Sequence, residues 1–188
     1  IYPAQKLGND FTMLELAREG KIDLLLTPTA KMSLAIPEMQ YADLPFFFPT
    51  KEDLYAMLDA EPGQILLKKL HKIDLVGVTF WENGFKDFSA NTPILSPSDL
   101  KGKKMRIMKS RIIQRQFRDL GAEPITIDFY ATKKALHDHV VDGQENPLIA
   151  FYGMGFYQEQ RHLTLSQHAY LGYVFSISAK TYELLSPN

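Results

Sequence analysis

The chain has 188 residues, 45% of them hydrophobic, and a formal net charge of −1 at pH 7. This apolar content suffices for one or two small domains, and the near-neutral charge argues against binding to nucleic acid or anionic membranes through bulk charge. Cysteine is absent, which excludes disulfides, thiol catalysis and thiolate metal sites. No apolar run approaches the roughly 20 residues that a membrane-spanning helix needs.

The first half of the chain alternates helical and strand-like patterns. Asp10 is placed to cap the first helix, and Thr50 with Asp53 has the spacing of a capping box at the start of a longer helical segment. Pro62-Gly63 is expected to break that segment into two helices. The predicted elements are a helix over 11–19, a strand over 22–28, helices within 49–70 and a strand over 73–81.

The second half continues the same alternation, which predicts an α/β fold with largely parallel sheets. Val140 and Val141 favour a strand, and Asp142-Gly143 favours a turn after it. The predicted elements are a turn with a short helix over 96–102, strands over 104–108, 124–128, 140–141 and 172–178, and helices over 110–120, near 130–138 and after Pro147.

Two segments, 80–88 and 169–175, each place a glycine between apolar strand-like halves. Such segments are expected where a chain passes from one lobe to another and returns. We therefore predict hinges at Asn83-Gly84 and Leu171-Gly172. The predicted lobes are a partial lobe I, residues 1–83 and 172–188, and a lobe II, residues 84–171.

Arg106 is the main candidate for a binding residue, because it ends a predicted strand and open α/β sheets bind ligands beyond their strand ends. Its guanidinium matches a carboxylate with two parallel hydrogen bonds. The alternative is a solvated cation within a basic stretch. Asn146, at a strand-to-helix junction, carries an amide that can donate to a carboxylate oxygen. Glu145 is interpreted as structural, because its charge would repel an anion.

A catalytic function is the alternative to binding: a hydrolase or lyase with His168, Asp128 or Glu145 as acid–base groups. No nucleophile elbow, phosphate-binding loop or dinucleotide fingerprint supports it. A metal site is not expected either, since His137 and His139 lack a third ligand nearby in the sequence. The sequence therefore predicts no enzyme activity, no cofactor and no metal.

Motifs spread over almost the whole chain resemble the solute receptor (DctP-type) of tripartite ATP-independent periplasmic, or TRAP, transporters. The segments that carry the resemblance are IYPAQKLGND, REGKIDLLL, IPEMQYADLPFFF, FWENGFKDF, SPSDLKGKKMRI, LGAEPITIDF, VVDGQENP and FYQEQRHLTLSQHAY. The resemblance implies a periplasmic protein with two α/β lobes and a cleft that closes around an organic acid such as a C4-dicarboxylate. It further implies delivery of that acid to the small and large membrane subunits of the transporter.

The resemblance also implies roles for single residues. The family arginine that matches Arg106 binds the carboxylate, and the family asparagine that matches Asn146 lies in the cleft. Phe129 matches an aromatic residue that packs against the ligand, although a core position is the common alternative for any phenylalanine. Further candidates are Lys86, where the family often has a second arginine, Trp81 and Asn83 near the predicted hinge, and, more weakly, Asp10 and His168.

The chain departs from the family pattern in three places. The first strand and helix and a long C-terminal helical portion of the family are missing, so the chain is predicted to be truncated at both ends. A truncated form could hide its uncovered apolar faces by self-association. Ala131 and Lys133 replace a Glu-x-Tyr pair, and His139 replaces a small residue. A ligand-sensing domain of a signalling protein would use the same cleft.

Overall fold

The computed structural model describes residues 1–185, which separate into two compact units. The sequence assigned all of residues 1–83 to one lobe, but the structure places residues 42–47 with the second unit. Asp43 forms a buried ion pair with Lys86 there, and the Phe46 N–H donates to the His168 carbonyl over 2.8 Å. Of the described residues, unit 1 comprises 1–41, 48–82 and 172–185, and unit 2 comprises 42–47 and 83–171.

Unit 1 forms helices and one short strand around an apolar core. Leu14, Leu25 and Leu75 are among its buried residues. The predicted first helix is confirmed, but Asn9 rather than Asp10 caps it, because the Asn9 side chain accepts from the Phe11 and Thr12 N–H groups. The elements of unit 1 are α1 (Asp10–Arg18), β1 (Leu24–Pro28), α2 (Thr29–Met32), α3 (Lys51–Asp59), α4 (Glu61–Lys69) and α8 (Ala179–Glu183).

The helical segment 49–70 is split as the sequence predicted, with Thr50 as the cap of α3. The break lies at Ala60, before the predicted Pro62-Gly63 pair. Pro62 instead occupies the first turn of α4, where its missing N–H has no intrahelical partner to lose.

Two long strands run through both units. They are β2 (Leu75–Ala90) and β6 (His162–Ser178), and both are much longer than the predicted strands over 73–81 and 172–178. In unit 1, β6 pairs antiparallel with β1 from Leu24 opposite Ile177 to Pro28 opposite Tyr173. The strand order is β1-β6-β2, followed by the strands of unit 2.

Unit 2 carries the parallel part of the sheet. Its further elements are β3 (Lys104–Ile107), α5 (Arg111–Asp119), β4 (Glu123–Thr126), α6 (Thr132–His137), β5 (Gly143–Pro147) and α7 (Leu148–Gly153). Here β3 runs parallel to β4 and β5, whereas β5 pairs antiparallel with β2. The α/β class is confirmed, and the sheet is mixed because β2 and β6 pair antiparallel with neighbours.

The strand β5 differs in position from its prediction. It covers the polar stretch from Gly143 to Pro147, so a strand at Val140-Val141 with a turn at Asp142-Gly143 is wrong. Both edges of β5 are paired, which satisfies the backbone of a polar segment, and this pairing outweighs the strand propensity of two valines. Gly143 is required there, since a Cβ would lie 2.4 Å from the Ser89 carbonyl oxygen.

The register of β2, β5 and β3 sorts the side chains of unit 2 onto two faces of the sheet, because successive side chains alternate. Arg106 is opposite Gln144, and Gln144 is opposite Ser89. We call the face with Arg106, Gln144, Asn146, Ser89 and Asp87 the amide face. We call the face with Lys86, Phe88 and Glu145 the ion-pair face. Within residues 1–185, no helix combines the length and the apolar character needed to cross a membrane.

Candidate functional site

Arg106 lies in the middle of β3 with a fully buried side chain, 0% exposed. Its Nε donates to the Ile127 carbonyl over 3.0 Å, and its Cζ lies 5.9 Å from the centroid of the Phe129 ring. The bond and the ring fix the guanidinium at the carboxyl end of β3 and β4. The alternative of a solvated surface cation is therefore wrong for Arg106.

Asn146 lies on the same face as Arg106, near the end of β5. Its Nδ2 donates to Gln144 Oε1, and Gln144 Nε2 donates to Ser89 Oγ over 2.7 Å. Ser89 Oγ donates to Gln160 Oε1 over 3.3 Å. All four side chains are buried. A guanidinium and a line of amides on one face can bind carboxylate and hydroxyl groups, since together they offer many N–H donors.

Lys86 lies on the opposite face, because it precedes Asp87, which is in register with Asn146. Its ammonium forms ion pairs with Asp43 Oδ1 over 3.2 Å and Glu145 Oε1 over 2.9 Å, and all three side chains are buried. The contact of Lys86 with a ligand stays a prediction, and in the structure its ammonium is engaged by two carboxylates. Lys86 holds β2, β5 and the 42–47 stretch together.

His168 belongs to the same ion-pair face. Its Nε2 lies 2.6 Å from Glu145 Oε2 and its Nδ1 lies 2.8 Å from Ser166 Oγ, so both ring nitrogens are engaged. The ring stacks on Phe88 with centroids 3.9 Å apart. His168 thus supports the sheet, and its contact with a ligand stays a prediction.

Burial and mutual charge set the protonation of this cluster. Burial alone would lower the pKa of Lys86, but Glu145 and Asp43 raise it above its usual range. Burial opposes ionisation of Glu145, yet Lys86 and His168 together lower its pKa to about 2. Burial raises the pKa of Asp43, with Lys86 acting against that shift. Lys86 and Glu145 therefore form a stable internal charge pair at neutral pH.

The remaining predicted site residues are divided between the units. Phe129 packs against an apolar cluster that includes Leu136 and Phe156, so it takes part in the core and also lies near Arg106. Asn83 begins the second stretch of unit 2 and is half-buried. Trp81 belongs to unit 1 with 58% of its surface exposed, and Asp10 in unit 1 pairs with buried Lys31 over 3.4 Å.

The sequence reading missed four residues that shape these two faces. Ser89 and Gln160 extend the amide line, Asp43 completes the ion-pair cluster, and Asp87 lies opposite Asn146, with its Oδ1 accepting from the Gln167 N–H over 3.0 Å. The alternation of residues 86–89 could have separated the two faces. This alternation could not be paired with β5, because the strand was expected at Val140-Val141.

Within the part of the chain that the structure describes, no group of three or more His, Asp or Glu side chains is arranged to hold a metal ion. His137 instead lies 3.1 Å from Glu159 through its Nδ1.

The family model described as "DctP: Bacterial extracellular solute-binding protein, family 7" matches residues 1–188. The C4-dicarboxylate-binding periplasmic protein DctP of Rhodobacter capsulatus is 36% identical over 184 residues, which cover 97% of this chain and 55% of that protein. The chain thus spans about half the length of the curated relatives it matches.

Solved structures give the same result. A TRAP periplasmic solute-binding protein from Sulfurospirillum deleyianum with bound succinate is 40% identical, with a TM-score of 0.93 over 97% of this chain and 59% of that one. The sugar acid binding protein DctPAm from Advenella mimigardefordensis in complex with galactonate is 36% identical, with a TM-score of 0.93 and the same coverage of both chains.

Proposed function

Because this chain belongs to the bacterial extracellular solute-binding protein family 7, DctP, we propose that its protein is a periplasmic receptor for the anion of a small organic acid. In this proposal the anion is a C4-dicarboxylate or a related acid. The receptor delivers it to the membrane subunits of a TRAP transporter. The relatives that match this chain bind C4-dicarboxylate, succinate or galactonate by their names.

The observation that carries the proposal is the complete burial of the Arg106 guanidinium on the amide face. The Arg106 Nε donates to the Ile127 carbonyl, which holds the guanidinium in place. A carboxylate matches a planar guanidinium fork through two parallel, charge-assisted hydrogen bonds. Such bonds strengthen where water is excluded, because the local dielectric constant is low.

The proposed site in unit 2 joins three groups of different chemistry. Arg106 binds the carboxylate, Asn146 offers its amide to a second polar group of the acid, and Phe129 contacts the apolar carbons. A negative charge also lies on this face, since Asp87 is opposite Asn146. Arg106 must therefore outweigh Asp87 for the face to attract an anion. The hinge motion predicted at Asn83-Gly84 and Leu171-Gly172 stays a prediction.

The hydrolase or lyase alternative receives no support from the positions of Glu145 and His168, two of its three candidate acid–base groups. Glu145 and His168 are bound to each other, and Glu145 is also paired with Lys86. A general base must reach the proton that it removes, whereas these two groups stabilise the ion-pair face. A receptor that returns its ligand unchanged therefore fits the arrangement better than an enzyme does.

A ligand panel followed by thermal unfolding tests the proposal. Succinate, fumarate and D-galactonate are compared with the uncharged controls succinamide and D-galactose. At a concentration of about 100 times its dissociation constant, a specific acid should stabilise the protein by about 2.7 kcal/mol. The acid should be recovered chemically unchanged after incubation. Equal stabilisation by acids and uncharged controls, or conversion of the acid, would contradict the proposal.

A further inference from the structure

We propose that Ser89, Gln144 and Gln160 are positioning residues that fix the orientation of the Asn146 amide for ligand binding. The inference rests on the proposed function, in which Asn146 contacts the bound acid. The orientation of the Asn146 amide decides which of its two ends offers the hydrogen-bond donors. An amide presents an acceptor oxygen on one side and two donors on the other.

The four side chains form one line of hydrogen bonds within unit 2. Asn146 donates to Gln144, Gln144 donates to Ser89 Oγ over 2.7 Å, and Ser89 donates to Gln160 Oε1 over 3.3 Å. At the far end, Gln160 Nε2 donates to Asn91 Oδ1 over 3.3 Å and to the Asp142 carbonyl oxygen over 3.5 Å.

The backbone carbonyl of Asp142 sets the direction of the whole line, because a carbonyl oxygen can only accept. The Gln160 amino group must face it, so Gln160 Oε1 faces Ser89. Ser89 has one hydroxyl proton, which it donates to Gln160 Oε1. The Ser89 oxygen must therefore accept from Gln144 Nε2. Gln144 Oε1 is left to accept from Asn146. The orientation of the Gln160 amide therefore fixes the orientation of the Asn146 amide, which is three hydrogen bonds further along the line.

Burial of these side chains favours a single orientation of each amide. Ser89, Gln144, Asn146 and Gln160 are all less than a tenth exposed, so water does not compete for their polar atoms. A reversed amide anywhere in the line would place two donors or two acceptors face to face, and an unsatisfied buried polar group is costly. The second Asn146 N–H and its Oδ1 are thereby held at fixed places on the face that carries Arg106.

Gln144 has a central place in this arrangement. It lies in register between Ser89 on β2 and Arg106 on β3. Gln144 therefore adjoins the residue proposed to bind the carboxylate, and it also orients Asn146. A recognition group held in one orientation before binding loses less freedom when the ligand arrives. Ser89, Gln144 and Gln160 are thus expected to raise the affinity for the acid through their effect on Asn146.

A double-mutant cycle tests the inference with succinate as the probe. Ser89→Ala should weaken succinate binding about five- to tenfold, the usual effect of one buried hydrogen bond. In an Asn146→Ala background the same change should have almost no effect, because Ser89 acts through Asn146. Ser176→Ala is the matched control, since Ser176 is a buried strand serine of unit 1 that donates to the Leu25 carbonyl over 3.4 Å. It should leave succinate affinity unchanged.

A second measurement needs no ligand. The side-chain amide signals of Asn146 in nuclear magnetic resonance spectra should shift and broaden in Ser89→Ala and in Gln160→Met, but not in Ser176→Ala. An Asn146 signal that ignores both changes would overturn the inference, as would a Ser89→Ala effect that persists in the Asn146→Ala background. If instead Asn146→Ala leaves succinate binding intact while the signals respond, the proposed function fails and the amide line stands.

Discussion

Two buried cations lie on opposite faces of the same sheet in unit 2, and their surroundings differ. Lys86 is held by the carboxylates of Asp43 and Glu145 at 3.2 and 2.9 Å. Arg106 contacts the Ile127 carbonyl and the Phe129 ring, and amide side chains continue its face. The first arrangement is an internal ion cluster that stabilises the fold, and the second presents donors suited to an anion from solution.

Burial of a positive charge therefore does not by itself identify a binding residue. Both cations are 0% exposed, and only their partners separate them. The alternation of side chains along a strand decides which partners each residue meets. Lys86 and Asp87 are neighbours in the sequence but lie on opposite faces of the sheet. Changes on the ion-pair face should therefore alter stability, and changes on the amide face should alter affinity.

The largest expected effect on stability comes from Lys86→Ala. It leaves the carboxylates of Glu145 and Asp43 buried without their cation, which should lower the free energy of unfolding by about 3–5 kcal/mol. Lys51→Ala is the control, because Lys51 pairs with Glu82 at the surface and should cost less than about 1 kcal/mol. Denaturant unfolding gives both values, and equal losses would break the distinction between the two faces.

Acid should weaken the ion-pair face next most strongly. The pKa of Glu145 is lowered from 4.5 to about 2, so its stabilising contribution is complete above pH 4.5 and is lost as the pH falls toward 2. The contribution amounts to about 3 kcal/mol, at 1.36 kcal/mol per pKa unit. The pKa of Asp43 is raised instead, so protonation of Asp43 as the pH falls stabilises the folded state relative to the unfolded state. Unfolding measured between pH 7 and 2 should show a steeper loss in the unmodified protein than in Glu145→Gln, and equal slopes would contradict this assignment.

The smallest effect concerns the charge of the amide face. Asp87→Asn keeps an oxygen to accept from the Gln167 N–H but removes the negative charge opposite Asn146. Succinate affinity should rise by a few-fold, which corresponds to about 1 kcal/mol or less. Asp119→Asn, on the exposed surface of α5, should change nothing. Unchanged affinity in Asp87→Asn would show that the anion does not sense this face.

Much of the fold could be predicted from sequence, because caps and apolar runs act locally. Thr50 caps α3 as its spacing to Asp53 predicted, and the helical segment 49–70 is divided as expected, although the division lies at Ala60. The strand β5 could not be predicted, since its polar residues are stabilised by pairing with β2 and β3, which are distant in the sequence. Propensity alone favoured the two valines before it.

The candidate site was only partly predictable for the same reason. Arg106 and Asn146 were found through their expected positions at strand ends and through the family resemblance, although Arg106 lies within β3. Lys86 was expected beside them because its charge is suitable, but the face on which it lies depends on the register of β5. Ser89 and Gln160 carry no motif of their own, and their role depends on the hydrogen-bond line that folding assembles.

Calorimetric titration of Arg106→Ala with the organic acid that gives the largest thermal shift shows whether Arg106 binds the carboxylate. We expect a loss of about 3–5 kcal/mol of binding free energy, roughly two to three orders of magnitude in the dissociation constant, and a substantial loss in Arg106→Lys as well. Arg115→Ala, on the exposed face of α5, should bind the acid normally. Normal binding by a folded Arg106→Ala protein would contradict the account.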